Sequence, residues 1–272
     1  MCRILIAAGD GEELKKLALA MRSASHRDPY KASRGRGWSH RDGWGYLLMT
    51  RSAIQHYRST EAIFDDSNGF EALMNSLRDG AILMMHSRAA SQGKVSLVNT
   101  QPFVVSTENG VMAWLVHNGD LNKEAVAEML DRRPPEGTID GLSDSYLLAM
   151  YLGEVMSSQG TEVSVVKSAM ESLASSVRTS LNTMVLTMDG GLIMATVTTY
   201  LNPDYARDPK NWNYSRLILL EEPEVVTIAS STLELYYKGP WRAIENGTFV
   251  SFEVNRDRLR PETMEFSEYT SR

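Results

Sequence analysis

The pattern of apolar and polar positions predicts a chain that is mixed α and β at first and β-rich at its end. Residues 2–8 are almost wholly apolar and are followed by Gly9-Asp10-Gly11, which predicts a buried strand ended by a turn. A helix is predicted next, because apolar residues recur at the i, i+3, i+4 and i+7 spacing of one helical face: Leu14, Leu17, Ala18 and Met21. Residues 26–45 lack periodicity and are rich in Gly, Arg and Ser, which predicts a long loop.

The middle of the chain combines further strands with consecutive helices. Apolar runs predict a hairpin, a short helix and two buried strands, in that order, at 44–50 with 54–57, 70–77, 81–85 and 110–116. Helices are predicted to begin near Lys123, Ser143 and Thr161. The first of them is predicted to end at Pro134-Pro135, because proline cannot continue a helix.

The last part of the chain, from Thr183 onward, turns to short β segments separated by turn residues. These strands are predicted at 184–188, 191–198, 217–220, 225–229 and 249–254. No repeat, low-complexity tract or linker interrupts the sequence, so we predict one domain over residues 1–272. Strands before and after a central pair of helices favour an α+β fold, in which two packed sheets carry helices on their outer faces.

Composition narrows the class of protein. The 272 residues are 43% hydrophobic and 23% charged, and the net charge of −6 disfavours a general nucleic-acid or membrane-surface binder. The single cysteine excludes an internal disulfide, and the sequence has no Gly-rich phosphate loop and no histidine ligand cluster. No apolar run approaches the roughly 20 residues of a membrane span, and the N-terminus lacks a signal-peptide pattern. We therefore expect a soluble, cytoplasmic protein without a metal or cofactor.

The only cysteine, Cys2, directly follows Met1. Removal of Met1 would place a thiol and an α-amine on one residue. Their reference pKa values are about 8.5 and about 7.7–8.0, so proton transfer between them is nearly isoenergetic near neutral pH. Such a residue carries its own base and needs no catalytic histidine. The alternative is that Cys2 is a small buried apolar residue at the start of a strand.

Short stretches with chemical potential follow one another in a suggestive order. They are Cys2, His40-Arg41-Asp42-Gly43-Trp44-Gly45, His86-Ser87-Arg88-Ala89-Ala90-Ser91, Asn99-Thr100-Gln101-Pro102-Phe103, His117-Asn118-Gly119 and Ser143-Asp144-Ser145. In this order they resemble the class II glutamine amidotransferases, a group of N-terminal-nucleophile hydrolases, and the likeness by motif spans residues 2 to about 150. The resemblance implies a four-layer αββα sandwich of two mostly antiparallel sheets.

The resemblance also implies roles for five residues in the hydrolysis of a glutamine side-chain amide. Cys2 would attack the γ-carbonyl and form a γ-glutamyl thioester, with its own α-amine carrying the proton. The Asn118 side-chain amide and the Gly119 backbone N–H would stabilise the oxyanion. Arg88 would pair with the substrate α-carboxylate, and Asp144 with the α-ammonium. The ammonia would then pass to an acceptor or to a separate synthase subunit.

Several of these residues also have a structural interpretation. Arg88 can equally be a surface ion-pair partner, Asn118-Gly119 a hairpin turn, and Asp144 a helix-start residue beside Ser143. His86 and His117 are expected near the substrate but in a structural role, since the nucleophile carries its own base. The other residues expected to line the substrate pocket are His40, Asp42, Trp44, Ser91, Asn99 and Gln101.

Two departures from the family pattern open further functions. Ser39-His40 replaces the Arg-Gly pair of members that carry a synthase domain, and Ala89 follows Arg88 where those members usually have an aromatic residue. The sequence is more similar to the small standalone members, which include the hydrolase that removes a γ-glutamyl group during ergothioneine synthesis. A hydrolase of a larger γ-glutamyl amide is therefore the alternative to a glutaminase.

The basic 26–41 loop supports that alternative and a third one. It carries mostly cationic side chains, namely Arg27, Lys31, Arg34, Arg36 and Arg41 against Asp28 alone. The loop can line the leaving-group side of the site and attract an anionic substrate, it can serve a non-catalytic binding protein, or it can be a solvated flexible loop. We expect a small-molecule substrate, a separate synthase or a homo-oligomer as partner, and neither nucleic acid nor a membrane.

Overall fold

Two antiparallel sheets stack face to face, and helices cover the outer face of each sheet. The computed structural model describes residues 2–108, 110–135, 137–189, 192–255 and 260–270. The first sheet has the strand order β11-β9-β10-β1-β4-β2-β3, and the second has the order β13-β12-β8-β7-β6-β5. Every strand pairing in these residues is antiparallel, as the αββα expectation requires.

The strands alternate with helices in the first two thirds of the chain. The strands are β1 (Arg3–Gly9), β2 (Trp44–Met49), β3 (Ile54–Ser59), β4 (Ala81–Ser87), β5 (Phe103–Val105), β6 (Met112–Leu121), β7 (Val177–Asp189), β8 (Leu192–Thr199), β9 (Leu217–Glu221), β10 (Val225–Ser230), β11 (Arg242–Ala243), β12 (Thr248–Asn255) and β13 (Arg260–Glu268). The helices are α1 (Gly11–His26), α2 (Pro29–Ala32), α3 (Ser67–Ser76), α4 (Lys123–Glu128), α5 (Asp144–Gln159), α6 (Val163–Ser172), α7 (Pro203–Ala206) and α8 (Pro209–Ser215).

Three apolar clusters fill the spaces between the layers. One lies between the first sheet and helices α1 and α3, and a second lies between the second sheet and helices α4 to α6. The third joins the two sheets, with Ile4 and Met84 meeting Val116 and Met184. This arrangement confirms the four-layer sandwich, and it follows from strands that are apolar on both faces.

Strand alternation gives the first three residues of β1 different surroundings. Ile4 belongs to the cluster between the sheets, whereas Leu5 belongs to the cluster under helix α1. Successive side chains of a strand point to opposite faces, so Cys2 points to the same side as Ile4 and Arg3 to the helix side. The first residue of chemical interest is therefore aimed into the space between the sheets.

The observed strands correct two boundaries that matter for the site. Strand β6 continues through Leu121, and Asn118 and Gly119 pair there with Asn182 and Leu181 of β7. The alternative of an Asn-Gly hairpin turn is therefore wrong. Strand β7 begins at Val177, before Thr183, where the β-rich last part of the chain was predicted to start.

Other differences lie outside the site. Helix α4 ends at Glu128, well before Pro134-Pro135, so the prolines do not end it. The predicted 26–45 loop contains the short helix α2. Helices α7 and α8 and strands β5, β11 and β13 were not predicted. The predicted start of a strand at Gly191 lies outside the described residues. No helix in the described ranges combines the length and the apolar character that crossing a membrane requires.

Candidate active site

Cys2 and Asn118 meet where β1 of the first sheet faces β6 of the second. The Cys2 backbone nitrogen donates to Asn118 Oδ1 at 2.9 Å, and the Cys2 thiol lies 3.8 Å from the Ala89 carbonyl oxygen. Asn118 is fully buried, and its Nδ2 has no hydrogen-bond partner among the described residues. A buried amide donor without a partner is costly unless a ligand supplies an acceptor. The Cys2–Asn118 pair therefore places a thiol nucleophile next to an amide N–H donor, Asn118 Nδ2, that can bind a ligand.

Gly119 allows the tight approach of β6 to β7 beside this pair. A Cβ atom placed on Gly119 would lie 1.7 Å from the Ser180 carbonyl oxygen, so no other residue fits without moving the backbone. The strand register is irregular between Gly119 and Leu121. Such bulges re-aim side chains and backbone groups next to active sites.

Arg88 follows β4 and is held by the loop that comes after it. Its Nη1 donates to the Lys94 carbonyl at 3.1 Å and its Nη2 to the Gln92 carbonyl at 3.0 Å. The side chain is 3% exposed, and its Nε has no partner among the described residues. Arg88 is therefore not a surface ion-pair partner, and that alternative is wrong. The loop fixes the plane of the guanidinium group and leaves N–H groups for a ligand.

Asp144 begins helix α5 and connects it to β6. Its Oδ2 accepts from the Leu121 backbone N–H at 2.8 Å and its Oδ1 from the Ser145 backbone N–H at 2.9 Å. The helix itself is capped by the Ser143 side chain, which accepts from the Tyr146 N–H. Asp144 is therefore not the cap of its helix. Its carboxylate is held by two backbone N–H groups, one at the end of β6 and one in the first turn of α5.

Asp120, which the sequence analysis did not select, is a second carboxylate at this place. Burial, followed by the charge of Asp144, raises the pKa of Asp120. Gln92 Nε2 donates to Asp120 Oδ1 at 2.8 Å, while the Gln92 carbonyl accepts from Arg88. Gln92 thus joins the cationic Arg88 to the acidic pair. The signal in the sequence was the position of Asp120 directly after Gly119.

His86 and His117 are both buried, but on different faces. His86 pairs in register with Ile4, which places it on the face between the sheets, and neither ring nitrogen has a partner among the described residues. His117 Nδ1 lies 2.8 Å from Ser145 Oγ and its Nε2 lies 3.4 Å from the Ser180 carbonyl. Burial lowers the pKa of both histidines, so both are neutral at pH 7.

His40 belongs to a buried ion-pair network that the sequence analysis missed. Its Nε2 lies 2.8 Å from Asp28 Oδ2, and Arg3 Nε donates to the same oxygen at 2.6 Å. Thr232 donates to Asp28 Oδ1, and all of these side chains are fully buried. Burial lowers the pKa of His40 to about 3. His40 therefore binds Asp28 under the first sheet, on the face opposite to the Cys2 side chain.

Three further residues predicted to line the pocket, Trp44, Asp42 and Ser91, make no contact with the Cys2 side chain among the described hydrogen bonds. Trp44 is fully buried in the cluster under α1, and its indole N–H donates to Asp66 at 2.9 Å. Asp42 Oδ2 accepts from the Ala90 N–H at 2.8 Å, and thereby holds the segment whose Ala89 carbonyl contacts the Cys2 thiol. Ser91 is exposed.

Asn99 and Gln101 fasten the segment that leads into β5. Asn99 Nδ2 donates to the Gly141 carbonyl at 2.8 Å, and its Oδ1 accepts from the Ser143 N–H at 2.7 Å. Gln101 Oε1 accepts from the His117 backbone N–H at 2.6 Å. Both side chains are therefore bound to backbone groups and position the loop after Arg88 and the strand that carries Asn118.

Asn182 is another buried polar residue that the sequence analysis did not select. It stands directly across from Asn118 on β7. Its Nδ2 donates to the Ser215 carbonyl at 2.6 Å, while its Oδ1 is buried without a partner among the described residues. Nothing in the local sequence of β7 distinguishes Asn182, because the strand carries several other polar residues. No cluster of metal-ligating side chains occurs in the described part of the chain.

The comparison with protein families matches residues 19–257 to the model of the class II glutamine amidotransferases. This match covers most of the chain and includes Arg88, Asn118, Gly119 and Asp144. The chain belongs to this family. Cys2 precedes the matched range, so its assignment depends on the geometry of β1 against β6. No curated protein matches the sequence.

Solved structures show the same fold at low sequence identity. The "allosteric regulatory enzyme of purine biosynthesis" has 17% identity and a TM-score of 0.63, and glutamine phosphoribosylpyrophosphate amidotransferase from B. subtilis has 16% and 0.62. All of this chain aligns with each of them, and it spans 50% of their length. A glutamine aminotransferase class-II domain protein from Silicibacter pomeroyi has 13% identity and a TM-score of 0.54, with 99% of this chain and 100% of that one covered. These likenesses support the sandwich fold of this class II amidotransferase.

Proposed function

We propose that the protein hydrolyses the γ-amide of glutamine, with Cys2 as the nucleophile. The observation that carries this proposal is the Cys2–Asn118 pair, in which the Cys2 nitrogen donates to Asn118 Oδ1 at 2.9 Å while Asn118 Nδ2 is buried and unpartnered. Removal of Met1, which lies outside the described residues, would turn that nitrogen into the α-amine. Asn118 would then orient the base through one atom and stabilise the oxyanion through the other.

The reaction balances with the groups of this chain and water. The Cys2 sulfur bonds to the γ-carbon, the carbon–nitrogen bond breaks, and the thiol proton reaches the departing nitrogen through the α-amine. Water then attacks the γ-glutamyl thioester, releasing glutamate and regenerating the thiol. The Gly119 N–H would be the second oxyanion donor.

The amino-acid end of the substrate fits the polar groups around Gln92. Arg88 would bind the α-carboxylate through the N–H groups that the loop leaves unused. The α-ammonium would lie at the acidic pair of Asp144 and Asp120, where its charge would offset the burial and the Asp144 charge that together raise the pKa of Asp120. These contacts recognise a free amino acid end and do not read the group on the γ-nitrogen.

The proposal extends to how the chain is used. We propose a single amidotransferase-type domain over residues 1–272 that delivers ammonia to a separate synthase or acceptor, alone or as a homo-oligomer. The solved B. subtilis protein is named as a glutamine phosphoribosylpyrophosphate amidotransferase, and this chain spans half of it. A cytoplasmic location stays a prediction from the sequence.

The test is intact-mass measurement of the purified protein before and after treatment with a glutamine-like diazo-ketone. We expect loss of one methionine and addition of one inhibitor, which must be on Cys2 because the chain has one cysteine. Ammonia release from glutamine should stop in proportion to alkylation. Cys2→Ala is the matched control and should gain no mass.

A processed chain that neither takes up the diazo-ketone nor releases ammonia from glutamine would contradict the glutaminase. Cleavage of extended γ-glutamyl amides by the same sample would then favour the second candidate, a hydrolase of a larger γ-glutamyl compound. The observation that favours this second candidate is the excess of cationic side chains in the 26–41 loop.

A further inference from the structure

Asn182 is a buried amide side chain of which only one end is hydrogen-bonded within the described chain. Its Nδ2 donates to the Ser215 carbonyl at 2.6 Å, and because a carbonyl can only accept, the two amide atoms cannot be exchanged. Asn182 is fully buried, and its Oδ1 has no partner among the described residues. A buried acceptor without a donor is costly unless a group that binds there supplies the donor. Asn182 Oδ1 is therefore available to one N–H or O–H group.

The Asn182 amide lies beside the Asn118 amide that binds Cys2. The two asparagines pair directly across β6 and β7. Val116 and Met184, two positions along each strand, belong to the apolar cluster between the sheets, so both asparagine side chains point into that space. Directly opposed residues have their Cβ atoms about 4.5–5.5 Å apart. Asn182 is thus the immediate neighbour of the amide whose Oδ1 accepts from the Cys2 nitrogen at 2.9 Å.

Contacts with the first sheet place Asn182 on the side of β1 to which the Cys2 nitrogen points. The Ile4 N–H donates to Ser230 Oγ at the end of β10. Because N–H groups two residues apart in an antiparallel strand point to the same neighbour, the Cys2 nitrogen faces the β10 side as well. Ser230 pairs with the start of β9, and Ser215, which Asn182 binds, lies just before that strand. The Cys2 nitrogen and the Asn182 amide therefore share the β10 side of β1.

Removal of Met1 changes the number of donors on the Cys2 nitrogen. In a peptide bond this nitrogen has one N–H, and Asn118 Oδ1 accepts it. As a neutral α-amine it has two N–H groups and a lone pair. When a carbonyl oxygen binds each N–H, the lone pair is left with the one remaining tetrahedral direction. A base needs such a fixed direction, because proton transfer depends on alignment.

We propose that Asn182 is the second acceptor of the Cys2 α-amine and directs its lone pair toward the thiol and the substrate. This inference rests on the proposed role of that amine as the base and adds a residue to it. Asn118 and Asn182 form a cradle in which each Oδ1 binds one N–H, while Asn118 Nδ2 stays available for the oxyanion. Asn182 is a positioning residue, since it acts through the amine and does not touch the substrate.

The test is the pH dependence of kcat/KM for glutamine, whose acidic limb reports the pKa of the base in the free enzyme. A carbonyl acceptor favours the ammonium form, so Asn182→Leu should lower the pKa of the amine and move the limb to lower pH. Asn182→Asp places a negative charge beside the amine and should move the limb to higher pH by about one unit or more. In Asn182→Leu the maximal kcat should fall about tenfold, because the base loses alignment, while KM stays close to the wild-type value.

Asn75→Asp is the matched control for the added charge. Asn75 is exposed on helix α3, which covers the outer face of the first sheet, so this substitution adds the same charge away from Cys2. Its pH profile should match that of the wild type. Asn182 variants that lose activity but keep the wild-type acidic limb would overturn the positioning role, because a merely structural residue lowers activity without moving the pKa of the base.

A crystal structure of the processed wild-type protein tests the cradle even if the Asn182 variants do not fold. We expect the Cys2 nitrogen to lie within about 3.2 Å of Oδ1 of both Asn118 and Asn182. An Asn182 Oδ1 beyond hydrogen-bond distance of that nitrogen, or bound to Asn118 Nδ2 instead, overturns the inference while the γ-glutamyl chemistry stands. Absence of both hydrolysis and Cys2 alkylation by the diazo-ketone overturns the proposed function, and the same two distances still decide whether the amine is held.

Discussion

Cys2 and Arg3 are neighbours in the sequence, yet they belong to two polar clusters built for different purposes. The Cys2 cluster, made of Cys2, Asn118 and Asn182, lies between the sheets, and two of its buried amide atoms have no partner in the part of the chain that the structure describes. The Arg3 cluster, made of Arg3, Asp28 and His40, lies under the first sheet. There Asp28 accepts bonds from both other members, from Thr232 and from the Lys31 backbone.

The comparison shows that one strand can carry the proposed nucleophile on one face and a stabilising buried ion pair on the other. Alternation along β1 sends Cys2 to one face and Arg3 to the other. A ligand can supply the hydrogen-bond partners that the buried amide atoms of the Cys2 cluster lack. The Arg3 cluster instead binds β1 to the loop after α1 and to the segment after β10. Activity and stability should therefore separate at adjacent positions.

Replacing the nucleophile should have the largest effect, and on activity alone. We expect Cys2→Ala to lower γ-glutamyl hydrolysis by at least about 10⁴-fold, since removal of a catalytic nucleophile leaves only binding and oxyanion stabilisation. The free energy of unfolding should change by less than about 1 kcal/mol, because the side chain is small and half-buried. Ammonia release and chemical unfolding measure the two effects. Substantial residual activity would contradict the role of Cys2.

Removing the central carboxylate of the Arg3 cluster should have the largest effect on stability. Asp28→Asn leaves the buried Arg3 charge without its counter-charge, and breaking a buried pair typically costs about 3–5 kcal/mol. Unfolding in guanidinium chloride measures the loss. The matched control is Asp65→Asn, whose ion pair with Arg41 is exposed and should contribute less than about 1 kcal/mol. Equal losses in the two variants would remove the distinction between the clusters.

Asn118 variants separate the two functions of one amide group. Asn118→Ala should reduce kcat by about 10²–10³-fold, the usual effect of losing one oxyanion donor. Asn118→Asp keeps an acceptor for the Cys2 nitrogen but loses the Nδ2 donor, so it should lose a comparable factor. Steady-state rates measured with glutamine test both. An Asn118→Asp variant with nearly full activity would show that Nδ2 does not bind the oxyanion.

Acid should weaken the fold gradually through the buried histidines. Burial lowers the pKa of His40 to about 3 and lowers the pKa of His86 and His117, so the unfolded chain binds protons below about pH 6.5 that the folded protein does not. The histidine contribution to stability is therefore complete above pH 6.5 and is lost below it, by up to about 1.4 kcal/mol per pH unit for His40 down to about pH 3, with His86 and His117 acting in the same direction. Unfolding midpoints between pH 7 and 5 test this slope.

A control for the pH effect is available in His26, whose side chain is exposed. His26→Gln should keep the wild-type slope, whereas His40→Gln should reduce it. A slope that does not respond to His40→Gln would mean that the histidine in the Arg3 cluster takes up its proton in both states.

The sequence predicted the fold well wherever local patterns decide it. Periodicity and turn residues gave β1, α1 and the β2–β3 hairpin, and the ordered motifs indicated the family and the sandwich. It failed where a partner from elsewhere in the chain decides. The Asn-Gly dipeptide at 118–119 is compatible with a hairpin turn by its sequence alone. In the structure both residues pair with β7, because pairing with a neighbouring strand overrides the local turn preference.

The same limit applies to the site. His40 and Trp44 belong to a motif of the family, but Asp28 and Asp66 bind them away from the Cys2 side chain. Asp120, Asn182 and Tyr214 carry no motif and are identified only by what stands next to them in space. Residue identity thus predicted the reacting groups, while the residues that orient them required the three-dimensional pairing.

The central position of β1 has a consequence for how the chain reaches its native state. Strand β1 is translated before both of its neighbours, β4 and β10, and Ile4 bonds to Ser230, 226 residues later. Ribosomes add about 5–20 residues per second, so the two partners emerge roughly 10–45 s apart. During that interval the apolar strand next to the nucleophile has an unpaired edge. Chains with such distant pairings have high contact order and fold slowly, so nascent chains of this protein should depend on protection of that edge until β10 has been made.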